Sequence, residues 1–247
     1  MMAIYAHPDD ESTCAGGVLA RVADMGVPVV LVTCTGGEFG DGPDGVKPGE
    51  PGHDPRAVAV TRRRELDAAC RVLGVDTVER LGFHDSGMPG WERLAGVQVF
   101  GSVPVAKVAA RIGELLDRHR PNVVLTHNAS ATHEHRDHVH TARAVAQAVV
   151  DRPVTLYFSA HGTRHWQALA AAGIRRPSPD WAILDRIEAA VTTRVAVADT
   201  VDRKRAALFS HVSQLRSSLA AQLPAAEYAA AFGVESFIRV QGDDEPV

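Results

Sequence analysis

Short, nearly continuous apolar runs alternate with longer stretches of helical period, and this alternation limits the fold more than any other feature of the chain. Residues 27–34 (VPVVLVTC) and 122–126 (NVVLT) carry apolar side chains at almost every position. A strand that faces solvent on one side alternates apolar with polar, so runs like these read as strands buried on both faces. Residues 1–6, 75–81 and 154–159 read as further strands, and 191–198 as an alternating one. Between them, 15–25, 58–73, 105–119, 138–150 and 202–219 have helical spacing. In 58–73, Leu66, Ala69, Cys70 and Leu73 recur on one face, and Gly74 stands where a terminating glycine belongs. Strands alternating with helices predict an α/β parallel sheet joined by right-handed crossovers. Ligands of such sheets bind at the carboxyl ends of the strands. No repeat or linker divides the chain, which is expected to form one domain over 1–247.

Composition removes several classes of function. The 247 residues carry a net charge of −4, which gives no general attraction to nucleic acid or anionic membrane. No apolar run approaches the ~18 residues of a membrane span. Asp9 and Asp10 arrive before any apolar leader segment forms, which argues against a signal peptide. Three cysteines (Cys14, Cys34, Cys70) without a CxxC pair point to reduced thiols and a cytoplasmic location. Residues 36–55 hold seven glycines and four prolines, and are expected to form a flexible flap near the site. Within them, Gly40-Asp41-Gly42-Pro43-Asp44-Gly45 fits G-x-G-x-x-G. That fingerprint needs a helix opening directly after it, and the prolines delay any helix to about Pro55, so dinucleotide binding is not expected.

The chemistry concentrates in two places. His7-Pro8-Asp9-Asp10-Glu11 follows the first strand. Four ionisable groups packed at the end of a buried strand repel one another unless a cation compensates, although acidic residues also suit a helix N-terminus. His133-Glu134-His135-Arg136-Asp137-His138 follows strand 122–126 at the same sheet edge, and five of the 12 histidines lie between 127 and 140. Two such clusters at the ends of parallel strands converge on one crevice. Two histidines and one carboxylate leave a zinc coordination position open, as catalytic zinc requires. Glu11 is expected to orient a ligand rather than to bind metal.

Ala6-His7-Pro8-Asp9-Asp10-Glu11 together with His135-x-Asp137-His138 resembles the zinc-dependent N-acetylglucosaminyl deacetylases. That family includes the de-N-acetylases of the phosphatidylinositol-glycan pathway and the deacetylases and amidases of mycothiol and bacillithiol metabolism. Thr33-Cys34-Thr35 with Gly37-Glu38, Arg62-x-x-Glu65-Leu66, Asp85-Ser86-Gly87-Met88, Lys204 and His211-x-Ser213-Gln214 also look similar. The fold implied is a Rossmann-like, mostly parallel sheet with helices on both faces and the active site at the carboxyl ends of the strands. The resemblance implies Zn2+ as cofactor, with His7, Asp10 and His138 as ligands. Asp9 is implied as general base, His135 as oxyanion stabiliser and acid, and Asp137 as the group that orients His135. Glu38, Arg62 and Asp85 stand where relatives contact the sugar. Glu134 and Arg136 replace a glycine and a proline common in the second motif, and His133 replaces a tyrosine that assists some members.

The activity implied is hydrolysis of an amide on an N-acetylated amino sugar. A thiol-conjugate amidase is the alternative on the same fold, and a non-catalytic metal-dependent binding module is the alternative from another class. The expected partner is a small-molecule amino-sugar substrate, with no nucleic acid and no membrane span. Self-association to a homo-oligomer is left open.

Overall fold

A computed structural model describes residues 1–42, 44–129, 135–174 and 180–240. In chain order the elements are β1 (Met2–Tyr5), α1 (Asp10–Cys14), α2 (Gly16–Asp24), β2 (Val30–Thr35), α3 (Pro55–Leu73), β3 (Thr77–Phe83), α4 (Glu92–Ala95), α5 (Val105–His119), β4 (Val123–Thr126), α6 (Arg136–Val149), β5 (Thr155–Ser159), α7 (Thr163–Ala171), α8 (Trp181–Ala190), β6 (Thr193–Ala196), α9 (Val201–Ser210), α10 (Ala225–Phe232) and β7 (Val234–Arg239). The strands form one sheet in the order β3-β2-β1-β4-β5-β7-β6. The five strands from β3 to β5 run parallel, and β7 runs antiparallel to both β5 and β6.

The apolar runs are buried on both faces because successive residues feed two separate cores. Met2 and Ile4 of β1, Val30 and Val32 of β2 and Val124 of β4 pack with Val108, Ile112 and Leu116 of α5 and Val145 of α6. Their neighbours Ala3, Tyr5, Leu31 and Leu125 point the other way, onto Leu19 of α2, Leu66, Ala69 and Leu73 of α3 and Ala207 of α9. This two-residue period places helices on both sides of the sheet, as the sequence implies.

The ends of α3 show how local chemistry sets its limits. The Asp54 carboxylate accepts the Arg56 N–H at 2.9 Å, and Pro55 takes the first helical position, where no donor is needed. Gly74 ends the helix at φ 80°, a left-handed conformation that glycine adopts without strain. The helix does begin at Pro55, as the prolines of the preceding segment require.

One expectation changes, and the glycine-rich segment gains a contact the sequence does not show. The segment 202–219 is not one helix: α9 ends at Ser210, and Val212–Gln214 forms a short 3-10 turn. The glycine-rich segment is tied down at Asp41. Its N–H donates to Gln214 Oε1 and its C=O accepts from Gln214 Nε2, each at 3.1 Å. Lys47 Nζ and Ser217 Oγ both donate to Asp41 Oδ2. The flap is therefore fastened to the chain that follows α9. Pro43 lies outside the described residues.

Candidate metal and catalytic site

The tips of β1, β2 and β4 meet the start of α6 and the loop after β3 at the carboxyl edge of the sheet. His7, two residues beyond β1, is 8% exposed, and Asp10, at the start of α1, is 6% exposed. His138 lies in the first turn of α6. His7 Nδ1 is 3.4 Å from Asp10 Oδ2, and His138 Nε2 is 3.3 Å from Asp10 Oδ1. One donor atom from each of the three residues falls within 4.8 Å of the others.

These donors suit a divalent metal ion, with one Asp10 oxygen turned toward each imidazole. Zinc bonds of about 2.0–2.2 Å in a tetrahedron put donor atoms roughly 3.3–3.6 Å apart. Charge agrees with the spacing. Burial opposes protonation of His7, yet Asp85, Asp10 and Asp137 raise its pKa well above the imidazole range. Burial alone would lift the Asp10 pKa, but the His138 and His127 imidazoles hold it well below the carboxylate range. A pocket that draws protons onto an imidazole between buried carboxylates is short of positive charge, which a divalent cation supplies.

A second group gathers on the far side of the same imidazole. His7 Nε2 lies 3.4 Å from Asp85 Oδ1 and 3.3 Å from Asp137 Oδ2. Together with His135 these residues also bring donor atoms within 4.8 Å of one another. Their oxygens already serve the backbone: Asp137 Oδ2 accepts the Ser86 N–H at 2.9 Å, and Asp85 Oδ1 accepts the Gly87 N–H at 2.8 Å. Carboxylates held in this way suit orienting a ligating imidazole from its other nitrogen. Asp137 Oδ2 is 4.0 Å from His135 Nδ1, so the Asp137 carboxylate addresses His7 rather than His135. His135 is instead fixed by the backbone: its Nδ1 accepts the Asp137 N–H at 3.2 Å as α6 begins. Burial and the nearby His7 lower His135 to about 4, and because Nδ1 accepts a backbone N–H, Nε2 is the ring nitrogen left to carry a proton.

Asp9 adjoins Asp10 with φ 104°, one of the few non-glycine residues at positive φ. Its Oδ2 accepts from Arg62 Nη2 at 2.9 Å. Arg62, at 4% exposure, also donates to Pro8 O and, at 3.0 Å, to Gly37 O. Burial raises the Asp9 pKa and Arg62 opposes it. Glu38 Oε2 accepts the Asp85 N–H at 2.9 Å. The structure thus brings Asp9, Asp10, His7, His138, His135, Asp137 and Asp85 to one place, with Glu38 and Arg62 behind Asp85 and Asp9. His133 and Glu134 lie outside the described residues.

His127 receives no role from the sequence, yet it sits in the centre. Its ring stacks on His138 with centroids 3.9 Å apart and planes 5° apart. Its Nε2 accepts the Ala6 N–H at 3.1 Å and lies 3.2 Å from Asp10 Oδ2. Its position directly after a buried parallel strand, beside four other histidines, is the signal that could have found it. Beside Asp9 a cavity of about 200 Å³ is lined by Thr13, Leu208, His211, Gln214 and Ser217.

The fold and site together define a class: a mostly parallel α/β protein with a metal-competent His/Asp crevice at the carboxyl edge of its central strands. Within that class the chain belongs to the PIG-L family, described as GlcNAc-PI de-N-acetylase, which it matches over residues 2–149. It is 34% identical over 259 residues to a 1D-myo-inositol 2-acetamido-2-deoxy-alpha-D-glucopyranoside deacetylase of Kineococcus radiotolerans, covering 90% of this chain and 70% of that protein. It is 30% identical over 242 residues to a mycothiol S-conjugate amidase of Streptomyces coelicolor, covering 87% and 82%. A solved deacetylase from the teicoplanin biosynthesis pathway shares the fold, with a TM-score of 0.65 at 22% identity over 99% of this chain and 100% of that one.

Proposed function

We propose that the protein is a zinc-dependent hydrolase that removes the acetyl group from an N-acetylated amino sugar. His7, Asp10 and His138 hold the metal, and Asp9 is the general base. The convergence of those three donors within 4.8 Å of one another, with a partly buried carboxylate next to them, is the observation that carries the reading. Zinc bound there supplies a Lewis acid that polarises the amide carbonyl and acidifies water.

The chain's own groups do the rest. Asp9 Oδ2 is held by Arg62, so Oδ1 takes the proton of the attacking water. Burial makes Asp9 a stronger base than an exposed carboxylate. With Nδ1 accepting the Asp137 N–H, His135 presents Nε2–H to the oxygen that gains negative charge. Asp9 returns its proton to the nitrogen as the C–N bond breaks, leaving acetate and a free amine. Asp137 and Asp85 hold His7 in place; Arg62 braces Asp9 and Glu38 holds the Asp85 backbone, so these groups support the site from behind rather than meeting the sugar.

The 34% identical relative, named for an acetamido-glucopyranosyl inositol, makes that compound the first substrate to assay. The relative named as an amidase supports a second reading, hydrolysis of a thiol-conjugate amide by the same machinery. Among the described residues no helix is long and apolar enough to cross a membrane. The proposal places the protein in the cytoplasm, where the buried thiols of Cys14, Cys34 and Cys70 stay reduced. The test is a screen of zinc-loaded protein against N-acetyl amino sugars and thiol conjugates for free amine. Release from an acetamido sugar, abolished by chelator, is expected. Unchanged turnover after chelation contradicts the mechanism.

A further inference from the structure

Asp9 is gripped at both ends, and one grip comes from the opposite end of the sequence. Its backbone sits at φ 104°, ψ −23°, a conformation that a side-chain-bearing residue keeps only when its surroundings impose it. Arg62 of α3 holds the carboxylate. The Asp9 C=O accepts the N–H groups of Ser12 and Thr13 at 3.1 and 3.2 Å as α1 begins. The Asp9 N–H donates to Glu11 Oε2 at 2.9 Å.

That last bond forms only if the Glu11 carboxylate turns back toward Asp9. Glu11 is 1% exposed, and its other oxygen, Oε1, accepts from His211 Nε2 at 2.8 Å and from Ser12 Oγ at 2.5 Å. His211, directly after α9, is 0% exposed and lines the cavity beside Asp9. Ser12 is the next residue in the helix and moves with Glu11, so it cannot anchor Glu11 to the rest of the molecule. His211 can, because α9 packs on both α1 and α3, the helix that carries Arg62.

We propose that His211 is a positioning residue for Asp9: acting through Glu11, it fixes the backbone from which the Asp9 carboxylate projects into the site. The inference rests on the reading of Asp9 as general base. A purely space-filling His211 predicts something different, namely changes in stability with no specific effect on turnover.

The experiment compares His211→Leu and His211→Gln with wild type for kcat, KM, zinc content and melting temperature. His211→Leu keeps the bulk and removes the donor. Its kcat is expected to fall about 10–100-fold, the usual scale for removing a group that orients a working residue. KM is expected to stay within about two-fold and zinc content unchanged, on the same principle that only the orientation of the base is lost. His211→Gln restores an N–H donor to Glu11 and recovers most of kcat. Glu11→Gln, in which one amide oxygen replaces two carboxylate acceptors, shows the same kcat loss, and combining it with His211→Leu lowers kcat no further.

Wild-type kcat in His211→Leu, a Gln variant as impaired as Leu, or a loss confined to KM or zinc content overturns the proposal. If His211→Leu does not fold, the kcat of Glu11→Gln decides. If wild type releases no amine from any acetamido sugar, the functional reading fails separately. A crystal structure of His211→Leu then settles the positioning role: Asp9 leaving positive φ supports it, and Asp9 unmoved against Arg62 overturns it.

Discussion

Replacing Asp9 by Asn separates its chemical from its structural contribution. Asn has the same shape and shares the tolerance of Asp for positive φ, so the backbone at φ 104° survives the change. Arg62 loses its anionic partner and keeps Pro8 O and Gly37 O. A hydrogen bond to a charged group is worth about 1.5–3 kcal/mol and a neutral one about 0.5–1.5 kcal/mol, so the exchange removes roughly 1 kcal/mol. The Asp9 side chain is 29% exposed, which pulls that figure down through solvent screening. In a chain of this size about 1 kcal/mol lowers Tm by about 2–4 °C. Turnover falls much further. A general base contributes about 10²–10⁴-fold, equivalent to about 2.7–5.4 kcal/mol of barrier at 1.36 kcal/mol per decade. Amine release and zinc content measured on the same preparation give the answer: full zinc, a small drop in Tm and a kcat loss of at least ~100-fold. A fully metallated Asp9→Asn enzyme within about ten-fold of wild-type kcat refutes the assignment, since a lost general base removes more than that.

His127→Ala removes the ring that stacks on His138 and flanks Asp10, and should weaken zinc affinity about 10–100-fold in a competition titration; wild-type affinity would mean His127 only fills space. Lys204→Met breaks a buried pair in which Nζ lies 2.7 Å from Glu235 Oε1. Breaking such a pair costs about 3–5 kcal/mol; Glu235 keeps the Gly17 and Val18 N–H groups at 2.8 Å each, so about 3 kcal/mol is expected by urea unfolding, and an unchanged midpoint contradicts it. On the surface, the His119 hydrogen bond and Arg118 hold the Glu79 carboxyl below its usual range against some desolvation. A depressed pKa contributes stability above the unfolded-state value of about 4.3, lost as pH falls through the folded one. The Glu79→Gln penalty, under about 1 kcal/mol at an exposed site, should therefore be present at pH 7 and vanish near pH 3; an equal penalty at both pH values contradicts the pairing.

The parallel half of the sheet was legible because each buried strand announces itself within a few residues, and so was the motif at the tip of β1. What escaped depends on contacts between distant segments. β7 inserts antiparallel between β5 and β6, and its inward Glu235 makes the segment read as polar; only the Lys204 ammonium and the α2 amides make that carboxylate tolerable in the interior. The contacts that tie down the glycine-rich segment at Asp41 were hidden for a similar reason. Glycine and proline content reports the freedom of an isolated segment, whereas Asp41 is tied to Gln214 and Ser217 far along the chain. Asp85 reads from sequence as a sugar contact. Its place against His7 follows from the amides of Phe39 and Gly87 that aim its carboxylate, and loop convergence of this kind has no local signature.

The shared grip of His7, Asp10 and His138 on one divalent ion is tested most directly by zinc per chain after equilibrium dialysis, in wild type and in His138→Ala. Asp10 Oδ1 lies 3.3 Å from His138 Nε2, so removing that imidazole takes away one of the three proposed ligands. Wild type is expected to hold about one equivalent and His138→Ala almost none, since a three-ligand zinc site does not survive on two. Full occupancy in His138→Ala would contradict the ligand set.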